Sequence, residues 1–329
     1  MTLSIIIIMH NGIQSIKNCL EAVNSQINFD DELILLDNGS TDSSNSVIKD
    51  FVLSQGFVKK ILLEHNVGIS IGRNIAARQA EGDFLLFLDS DIILMPNALP
   101  VLRTECLLAD AIIGAYTNKG TGLIWYREIK YRALSKKKVG GSTKLISKRS
   151  FTTLSGGLCA IKSSAFCKIG GFQPYFRSGA LEDIDLELRL LNEEYKVKFC
   201  GTFNGVHEKG ELSFSGFCRW CWRCGIGNAN IISSAMKGKY SLPHTRYYPR
   251  VPGIIPVFCF CFILLFPPYV SAILCLIAFL YLGLPFFAEN DFSWKSRLFA
   301  ALLFFIDECI ALSGFIYHSL QLLLYLEDR

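Results

Sequence analysis

Two aspartates separated by one residue carry the clearest chemical signal in this sequence. They form Asp89-Ser90-Asp91, directly after the apolar run 84–88, which predicts a buried strand. Because side chains alternate along a strand, both carboxylates can lie on the same side. Two like charges held together favour a bound cation, and carboxylate oxygens suit Mg²⁺ or Mn²⁺, with substrate phosphates completing the coordination. A surface turn that carries two acids has the same spacing, so other parts of the sequence must distinguish a metal site from a surface turn.

The elements that must position these aspartates alternate along the N-terminal half. Apolar spacing predicts strands at 3–9, 32–36, 58–63 and 84–88, and helices at 13–25, 43–51 and 70–80. Strands that alternate with helices through short loops predict an α/β fold with a mostly parallel, Rossmann-like sheet and helices on both faces. Ligands of such sheets bind beyond the carboxyl ends of the strands.

Polar turns follow three of the predicted strands at that edge. Asn11 follows the first strand, Asp37 and Asn38 follow the second, and the two aspartates follow the fourth. Asp37 and Asn38 can hydrogen-bond the edge of a nucleobase, although an Asx turn would use the same residues, and both roles can coexist. Between the third and fourth strands, Gly68 allows close backbone approach to a ligand, and Arg73 can offer its guanidinium to a diphosphate.

A second acidic group lies further along the chain. Glu182, Asp183 and Asp185 begin a helical pattern of apolar residues, which predicts that Asp183 lies near the first helical turn. Mutual repulsion between these carboxylates can raise the pKa of one of them, as a proton-accepting group requires. An acidic helix N-terminus that is stabilised only by the helix dipole would have the same sequence.

Three nucleotide-binding signatures are missing from the sequence. No Gly-x-Gly-x-x-Gly follows the first predicted strand, which disfavours a dinucleotide-binding dehydrogenase. No Gly-x4-Gly-Lys-Ser/Thr is present, which argues against a phosphate-loop NTPase. The glycine- and lysine-bearing N-terminal loop of a nucleotidyltransferase is also missing, which argues against that class.

Taken together, these motifs resemble the inverting, nucleotide-sugar-dependent glycosyltransferases of family 2, which have the GT-A fold. The resemblance runs from about residue 3 to residue 228. It depends on the order and spacing of five motifs: Leu-Asp-Asn-Gly-Ser-Thr-Asp (36–42), Asn-x-Gly-x3-Gly-Arg-Asn (66–74), Leu-Asp-Ser-Asp (88–91), Gly-Gly-Phe (170–172) and Glu-Asp-x-Asp-Leu-x-x-Arg (182–189).

The resemblance implies a role for each motif. Asp183 would be the catalytic base, and Asp89, Asp91 and His207 would hold Mg²⁺ or Mn²⁺ on the donor's diphosphate, although His207 alone would read as a loop histidine. The implied substrate-binding residues are Asn11, Asp37, Asn38, Gly68, Arg73, Asp89, Glu182, Arg219 and Trp220.

The sequence also departs from the family pattern. The first strand ends in Ile-Met-His-Asn rather than Pro-Thr-Tyr-Asn, which changes the wall of the expected base pocket. Processive members carry Gln-x-x-Arg-Trp before their membrane helices. Here Gly216 stands in place of the glutamine before Arg219 and Trp220, which favours single transfer over processive synthesis.

The C-terminal part of the sequence is apolar enough to enter a membrane. Residues 254–287 carry no charge, and 298–326 carry only Asp307 and Glu308. With Pro267-Pro268 as a break, this predicts two to three transmembrane helices, at about 251–266, 269–287 and 298–326. The predicted domains are a glycosyltransferase domain at 1–230, a linker at 231–250 and a membrane region at 251–329. Basic residues concentrate before residue 251, which predicts a multi-pass protein of the cell (inner) membrane with a cytoplasmic catalytic domain.

The expected function combines the resemblance with the apolar tail. A metal-dependent transferase would move a sugar, with inversion, from a nucleotide-diphosphate donor to a hydroxyl of a lipid-linked saccharide or polysaccharide precursor. Alternatives are a polyprenyl-phosphate glycosyltransferase, a processive polysaccharide synthase, and a non-catalytic membrane-anchored protein that binds nucleotide sugars. Membrane lipid is an expected partner and nucleic acid is not.

Overall fold

The structure is a computed structural model. It describes residues 1–54, 58–135, 141, 143–146, 156–176, 179–240, 273, 276 and 293–327. The chain divides into two compact units. The first consists of Met1–Lys119, Lys137–Lys209 and Gly238–His244, and the second of Gly120–Lys136, Gly210–Lys237 and Thr245–Arg329. The predicted limits of the domains at 230 and 250 stay predictions, and half of the predicted linker, 241–250, lies outside the described residues.

The described residues contain nine strands and nine helices. The strands are β1 (Leu3–Met9), β2 (Glu32–Asn38), β3 (Val58–Leu63), β4 (Phe84–Asp89), β5 (Ile92–Leu94), β6 (Ala111–Gly122), β7 (Lys144–Ile146), β8 (Leu158–Lys162) and β9 (Val197–Leu212). The helices are α1 (Ile16–Asn24), α2 (Ser44–Ser54), α3 (Ile69–Ala77), α4 (Ala98–Cys106), α5 (Ile124–Ser135), α6 (Ser163–Lys168), α7 (Glu182–Asn192), α8 (Phe214–Met236) and α9 (Trp294–Glu327).

The strands form one mixed sheet in the order β3-β2-β1-β4-β8-β6-β9-β5, with β7 also paired to β9. The first four strands in this order are parallel, as the alternating pattern predicted. The expectation of a mostly parallel sheet is wrong for the other half, because β8 is antiparallel to both β4 and β6, and β5 and β7 are antiparallel to β9. Regular strand–helix alternation ends at β4, so the pattern of the later sequence did not predict the direction of the remaining strands.

Both faces of the sheet are covered by helices, as predicted. Along β1, Leu3, Ile5 and Ile7 belong to one apolar core, together with residues of α1 and α4. Ile6 and Ile8 belong to the core on the opposite face, together with residues of α3, α6 and α7. This alternation explains why β1 is apolar at nearly every position, since a strand covered on both faces has no solvent-facing side.

Most predicted boundaries in the N-terminal half are confirmed within a few residues. β1 and β3 have the predicted limits, whereas β2 and β4 each extend into the polar turn that follows them. α1 begins at Ile16 instead of residue 13, because the backbone N–H groups of Ser15 and Ile16 both donate to the carbonyl of Gly12 and form a turn first.

The second unit contains a close contact between α8 and α9. A Cβ added at Gly225 would overlap the carbonyl oxygen of Ala311, and one added at Gly314 would overlap that of Trp222. Such backbone approach between helices requires glycine. Asp307 of α9 is buried, accepts a hydrogen bond of 2.8 Å from the hydroxyl of Tyr126, and also pairs with a lysine of α5.

The predicted final apolar helix is confirmed as α9. Its segment Trp294–Leu322 has 29 residues, and an 18-residue stretch within it has a mean hydropathy of 2.0. Within the described part of the chain it is the one helix long and apolar enough to cross a membrane. Length and composition also fit a helix buried in a soluble protein. The other two predicted crossings, at 251–266 and 269–287, lie outside the described residues apart from positions 273 and 276.

The core position of Phe87 generates a stability prediction. Its ring is fully buried, with centroids 5.2 Å from that of Phe166 and 5.1 Å from that of Phe172. We expect Phe87→Ala to lower the free energy of unfolding by about 3–5 kcal/mol, measured by denaturant titration of the purified chain. Phe29→Ala is the matched control, because Phe29 is 97% exposed and its loss should cost less than about 0.5 kcal/mol. Equal effects would contradict the core assignment.

Candidate active site

The carboxyl ends of three parallel strands bring the polar turns together. In the register of the sheet, Met9 of β1 pairs with Asp37 of β2, and Ile8 of β1 pairs with Asp89 of β4. The acids that follow β2 and β4 therefore flank the end of β1 on its two sides. This is the edge at which open α/β sheets bind ligands.

The predicted base-binding residues hold the loops at this edge. Oδ1 of Asp37 accepts a hydrogen bond from the N–H of Ser40 at 2.9 Å. Asn38 accepts at 3.0 Å from the N–H of Val67, and its amide donates to the side chain of Asn66 at 3.1 Å. Asp37 and Asn38 are each 3% exposed. Asp37 therefore stabilises the turn that follows β2, and contact with a nucleobase stays a prediction.

Two further predicted residues determine the backbone conformation of the neighbouring loops. Asn11 has a φ of 54°, and its side-chain oxygen accepts from the N–H of Thr41 at 2.8 Å, so it joins the loop after β1 to the loop after β2. Gly68 has a φ of 87° directly before α3, a conformation that favours glycine. Both observations assign these residues to loop geometry, while their contact with a substrate stays a prediction.

A candidate metal centre lies at the end of β4. Ligand atoms of Asp89, Asp91 and His207 all lie within 4.8 Å of one another. The antiparallel pairing of β5 with β9 places Ile92 opposite His207, and the N–H of Glu208 donates to the carbonyl of Asp91 at 2.7 Å. Sheet register thus carries the histidine, more than 100 residues away in sequence, to the two aspartates.

The chemistry of these three side chains fits a divalent cation. His207 is 3% exposed, and its Nε2 atom lies 2.9 Å from Oδ1 of Asp91, yet neither ring nitrogen makes a well-aligned hydrogen bond to any described residue. A buried ring nitrogen without a well-aligned hydrogen bond is costly, and a metal that accepts its lone pair would remove that cost. One imidazole and two carboxylates suit Mn²⁺ or Mg²⁺.

Electrostatics favour the metal-binding protonation states. Burial lowers the pKa of His207, and the charge of Lys209 adds to this, so the neutral imidazole that binds metals is favoured. Burial opposes ionisation of Asp91, but the contact with His207 and the charge of Lys209 outweigh it and hold the pKa of this carboxyl well below its usual range.

Arg73 joins the metal centre to the second acidic group. Its Nη2 atom lies 2.9 Å from Oδ1 of Asp89, and its Nη1 atom lies 2.9 Å from Oε1 of Glu182. The side chain is buried, and its guanidinium lies 5.1 Å from the ring centroid of Phe172. The predicted contact of Arg73 with a diphosphate would therefore have to compete with two carboxylates that already occupy the guanidinium.

The three acids of the second group have different environments. Burial raises the pKa of Glu182 to about 7, with the charge of Asp183 adding to the effect and Arg73 opposing it. Asp185 is fully buried, lies 2.7 Å from Nη2 of Arg189, and accepts from the hydroxyl of Tyr240 at 3.0 Å. Asp183 is only half-buried, so of the three it is the carboxylate that a substrate can reach.

Sequence reasoning missed two glycines that make room for this arrangement. A Cβ at Gly156 would lie 2.8 Å from Nη1 of Arg73 and 3.1 Å from the Cβ of Asp183, and one at Gly157 would overlap the carboxylate of Asp89. The N–H of Gly156 also donates to Oδ2 of Asp183 at 3.0 Å. Two adjacent glycines directly before an apolar strand are a signal of close approach that could have found them.

Lys209 was also missed. Its ammonium lies 2.8 Å from Oδ2 of Asp91. The available signal was the period of a strand, because Lys209 and the predicted ligand His207 are two residues apart on β9 and share a face.

Arg219 and Trp220 lie on α8 in the second unit. The guanidinium of Arg127 lies 4.9 Å from the ring centroid of Trp220, and the ammonium of Lys130 lies 4.7 Å from it. These are cation–π contacts within the unit. The predicted substrate-binding role of Arg219 and Trp220 stays a prediction.

Comparison with known proteins agrees with this geometry. The family model described as "Glycosyl transferase family 2" matches residues 4–178. An uncharacterized glycosyltransferase of Haemophilus influenzae is 30% identical over 226 residues, which is 63% of this chain and 69% of that protein. Glycosyltransferase GlyG of Streptococcus pneumoniae is 28% identical over 118 residues, and the match spans 35% of this chain but only 39% of GlyG.

Solved structures show the same fold at low identity. The mannosyltransferase PcManGT of Pyrobaculum calidifontis, in complex with GDP-Man and Mn²⁺, has a TM-score of 0.57 at 13% identity, covering 96% of this chain and 86% of that one. TarS 1-349 of S. aureus, in complex with UDP-GlcNAc, has a TM-score of 0.54 at 16% identity, covering 96% and 92%. The fold is that of the GT-A glycosyltransferases. The chain belongs to glycosyltransferase family 2.

The glycine before β8 generates a prediction about the metal centre. Gly157→Ala should displace the carboxylate of Asp89, because the added methyl group would overlap it. We expect Mn²⁺ affinity to fall at least about tenfold, measured by titration with Mn²⁺ and detection of the free ion by electron paramagnetic resonance. Gly210→Ala is the control, since its Cβ would meet no atom within 4 Å. Unchanged affinity in Gly157→Ala would remove Asp89 from the metal centre.

The bridge made by Arg73 generates a second prediction. Arg73→Met leaves the carboxylates of Asp89 and Glu182 without their shared cation, and breaking a buried ion pair costs about 3–5 kcal/mol of stability. We expect a lower free energy of unfolding in denaturant titration and, in folded protein, a lower kcat. Arg78→Met, at the exposed residue that directly follows the same helix, should change neither. Loss of nucleotide affinity alone, with stability unchanged, would instead support the diphosphate contact.

Proposed function

We propose that this glycosyltransferase moves a sugar from a nucleotide-diphosphate donor to an acceptor hydroxyl, with a divalent metal at Asp89, Asp91 and His207 and with Asp183 as the base. The observation that carries the proposal is the bridge through Arg73, which links a metal ligand to the helix turn that holds Asp183. Metal ligands and a reachable carboxylate are what a single displacement at a sugar carbon requires.

In this proposal, residues of the chain itself accept the proton of the acceptor hydroxyl and orient the base. A metal bound at the centre would supply charge neutralisation for the departing diphosphate. Asp183 accepts the proton of the acceptor hydroxyl as that oxygen attacks the anomeric carbon and the bond from this carbon to the diphosphate breaks. The N–H groups of Gly156 and Ile184 orient the carboxylate by donating to Oδ2 and Oδ1. Asp185 is buried against Arg189, and Glu182 against Arg73, so neither competes for this role. One displacement with one base inverts the anomeric carbon.

The donor is proposed to be a nucleoside-diphosphate sugar. Two structural neighbours are complexes with GDP-Man and with UDP-GlcNAc, and this supports the donor class without choosing the base or the sugar. In this proposal Asn11, Asp37 and Asn38 form the floor of the base pocket, because they hold the three loops at the carboxyl edge of the sheet.

The acceptor is proposed to be a lipid-linked saccharide at the cell (inner) membrane. The support is α9, whose segment Trp294–Leu322 has the length and hydropathy of a membrane-spanning helix. A protein held at the bilayer meets lipid-linked acceptors at high local concentration. The multi-pass arrangement, with a cytoplasmic catalytic domain, belongs to the same proposal and is supported by the uncharged run 254–287 in the sequence.

The test is nucleotide release from a panel of UDP-, GDP- and dTDP-sugars, using detergent-purified chain with Mn²⁺ or Mg²⁺ and with lipid-extract acceptors. We expect release from one nucleotide class, and loss of at least about 10²-fold in Asp91→Asn and in Asp183→Asn. Asp50→Asn, at an exposed position of α2, is the matched control for both substitutions and should keep full activity.

The possible outcomes separate the alternatives. Release that persists in Asp183→Asn would refute the choice of base. Transfer to a polyprenyl phosphate, or synthesis of a long polymer, would replace the proposed acceptor with one of those classes. Binding of a nucleotide sugar without any release would indicate a non-catalytic binding protein.

A further inference from the structure

Both acidic ligands of the candidate metal centre already have a basic partner. Asp89 lies 2.9 Å from Nη2 of Arg73, and Asp91 lies 2.8 Å from the ammonium of Lys209. A divalent cation that reaches these carboxylates therefore meets two positive charges. Like charges in a partly buried site repel more strongly than they do in water.

The two basic partners differ in how easily they can leave. The side chain of Arg73 is 5% exposed and is held by a second carboxylate, that of Glu182. The side chain of Lys209 is 28% exposed, and among the described residues it forms an ion pair with Asp91 alone. A lysine ammonium is a point charge on a flexible stem, whereas an arginine is fixed by its planar, forked geometry. Lys209 is thus the exchangeable partner.

We propose that Lys209 is a built-in competitor of the metal, which makes metal binding depend on the donor's diphosphate. Without substrate, the ammonium holds Asp91 and opposes entry of a cation. When a diphosphate arrives with the metal, the diphosphate oxygens accept hydrogen bonds from the ammonium of Lys209. Asp91 is then free to bind the metal. This inference rests on the proposed function, because it assumes the metal centre at Asp89, Asp91 and His207.

The proposal has a thermodynamic consequence. If diphosphate strengthens metal binding by displacing Lys209, then metal must strengthen diphosphate binding by the same factor. Removing the ammonium should raise the affinity for metal alone and reduce this coupling. A lysine that only stabilised the fold would have the opposite effect on metal affinity, since its loss would loosen Asp91.

The experiment measures Mn²⁺ binding to full-length, detergent-purified protein by electron paramagnetic resonance, with Mn²⁺ alone and with added UDP or GDP. We expect Lys209→Met to bind Mn²⁺ alone about tenfold more tightly than the wild type does. We also expect the nucleotide that binds to strengthen Mn²⁺ binding less in Lys209→Met than in the wild type. Lys209→Arg keeps the charge and should bind Mn²⁺ alone no more tightly than the wild type does.

Lys119→Met is the matched control. It removes the same charge from the same neighbourhood, but the ammonium of Lys119 lies 3.4 Å from Glu208 and pairs with neither aspartate of the metal centre. Its Mn²⁺ affinity should stay within about twofold of the wild-type value. A similar gain in Lys119→Met would mean that net charge alone, and not Lys209, controls the site.

Two results would overturn the inference in distinguishable ways. Tight Mn²⁺ binding by the wild type that Lys209→Met leaves equal or weaker would reject the role of Lys209 and leave the proposed function intact. Absence of Mn²⁺ binding in the wild type and in Lys209→Met alike, with or without nucleotide, would reject the metal centre and thereby the proposed function as well.

Discussion

The guanidinium of Arg73 is the group on which the geometry of the candidate active site depends. It is buried between the carboxylates of Asp89 and Glu182, which lie 93 positions apart in the sequence. A buried charge is tolerated only when it is paired, so the guanidinium requires these carboxylates. The end of β4 and the start of α7 are therefore held together by these ion pairs. Because Asp183 is the next residue after Glu182, the same ion pairs also place Asp183 beside the end of β4.

Strand register supplies the other half of the site. β9 runs antiparallel to the short strand β5, and this pairing sets His207 opposite Ile92, one residue beyond Asp91. Because side chains alternate with a period of two, the same register also brings Lys209 to Asp91. A shift of one residue would turn both side chains to the opposite face and would remove a ligand and a charge from the site together.

The second unit combines apolar helices with a buried charge. Asp307 lies in the middle of the candidate membrane span and is paired with Lys130 and Tyr126 of α5. Ionisable groups in such a helix are stable when a neighbouring element supplies the partner. The first half of α9 thus contacts α5 as well as α8. Its apolar composition alone did not indicate that a buried ion pair joins it to α5.

The sequence by itself determined the local elements and the types of the reactive groups. Strand–helix alternation predicted β1 to β4, and the acids after β2 and β4 marked the carboxyl edge, because periodicity and turn residues are local properties. Only the tertiary structure decided the antiparallel half of the sheet and the glycines that admit Arg73. It also decided that the Arg73 guanidinium faces Asp89 and Glu182, and that Lys209 faces Asp91. These are pairings across long sequence separations, and they depend on packing and register, which no local pattern records.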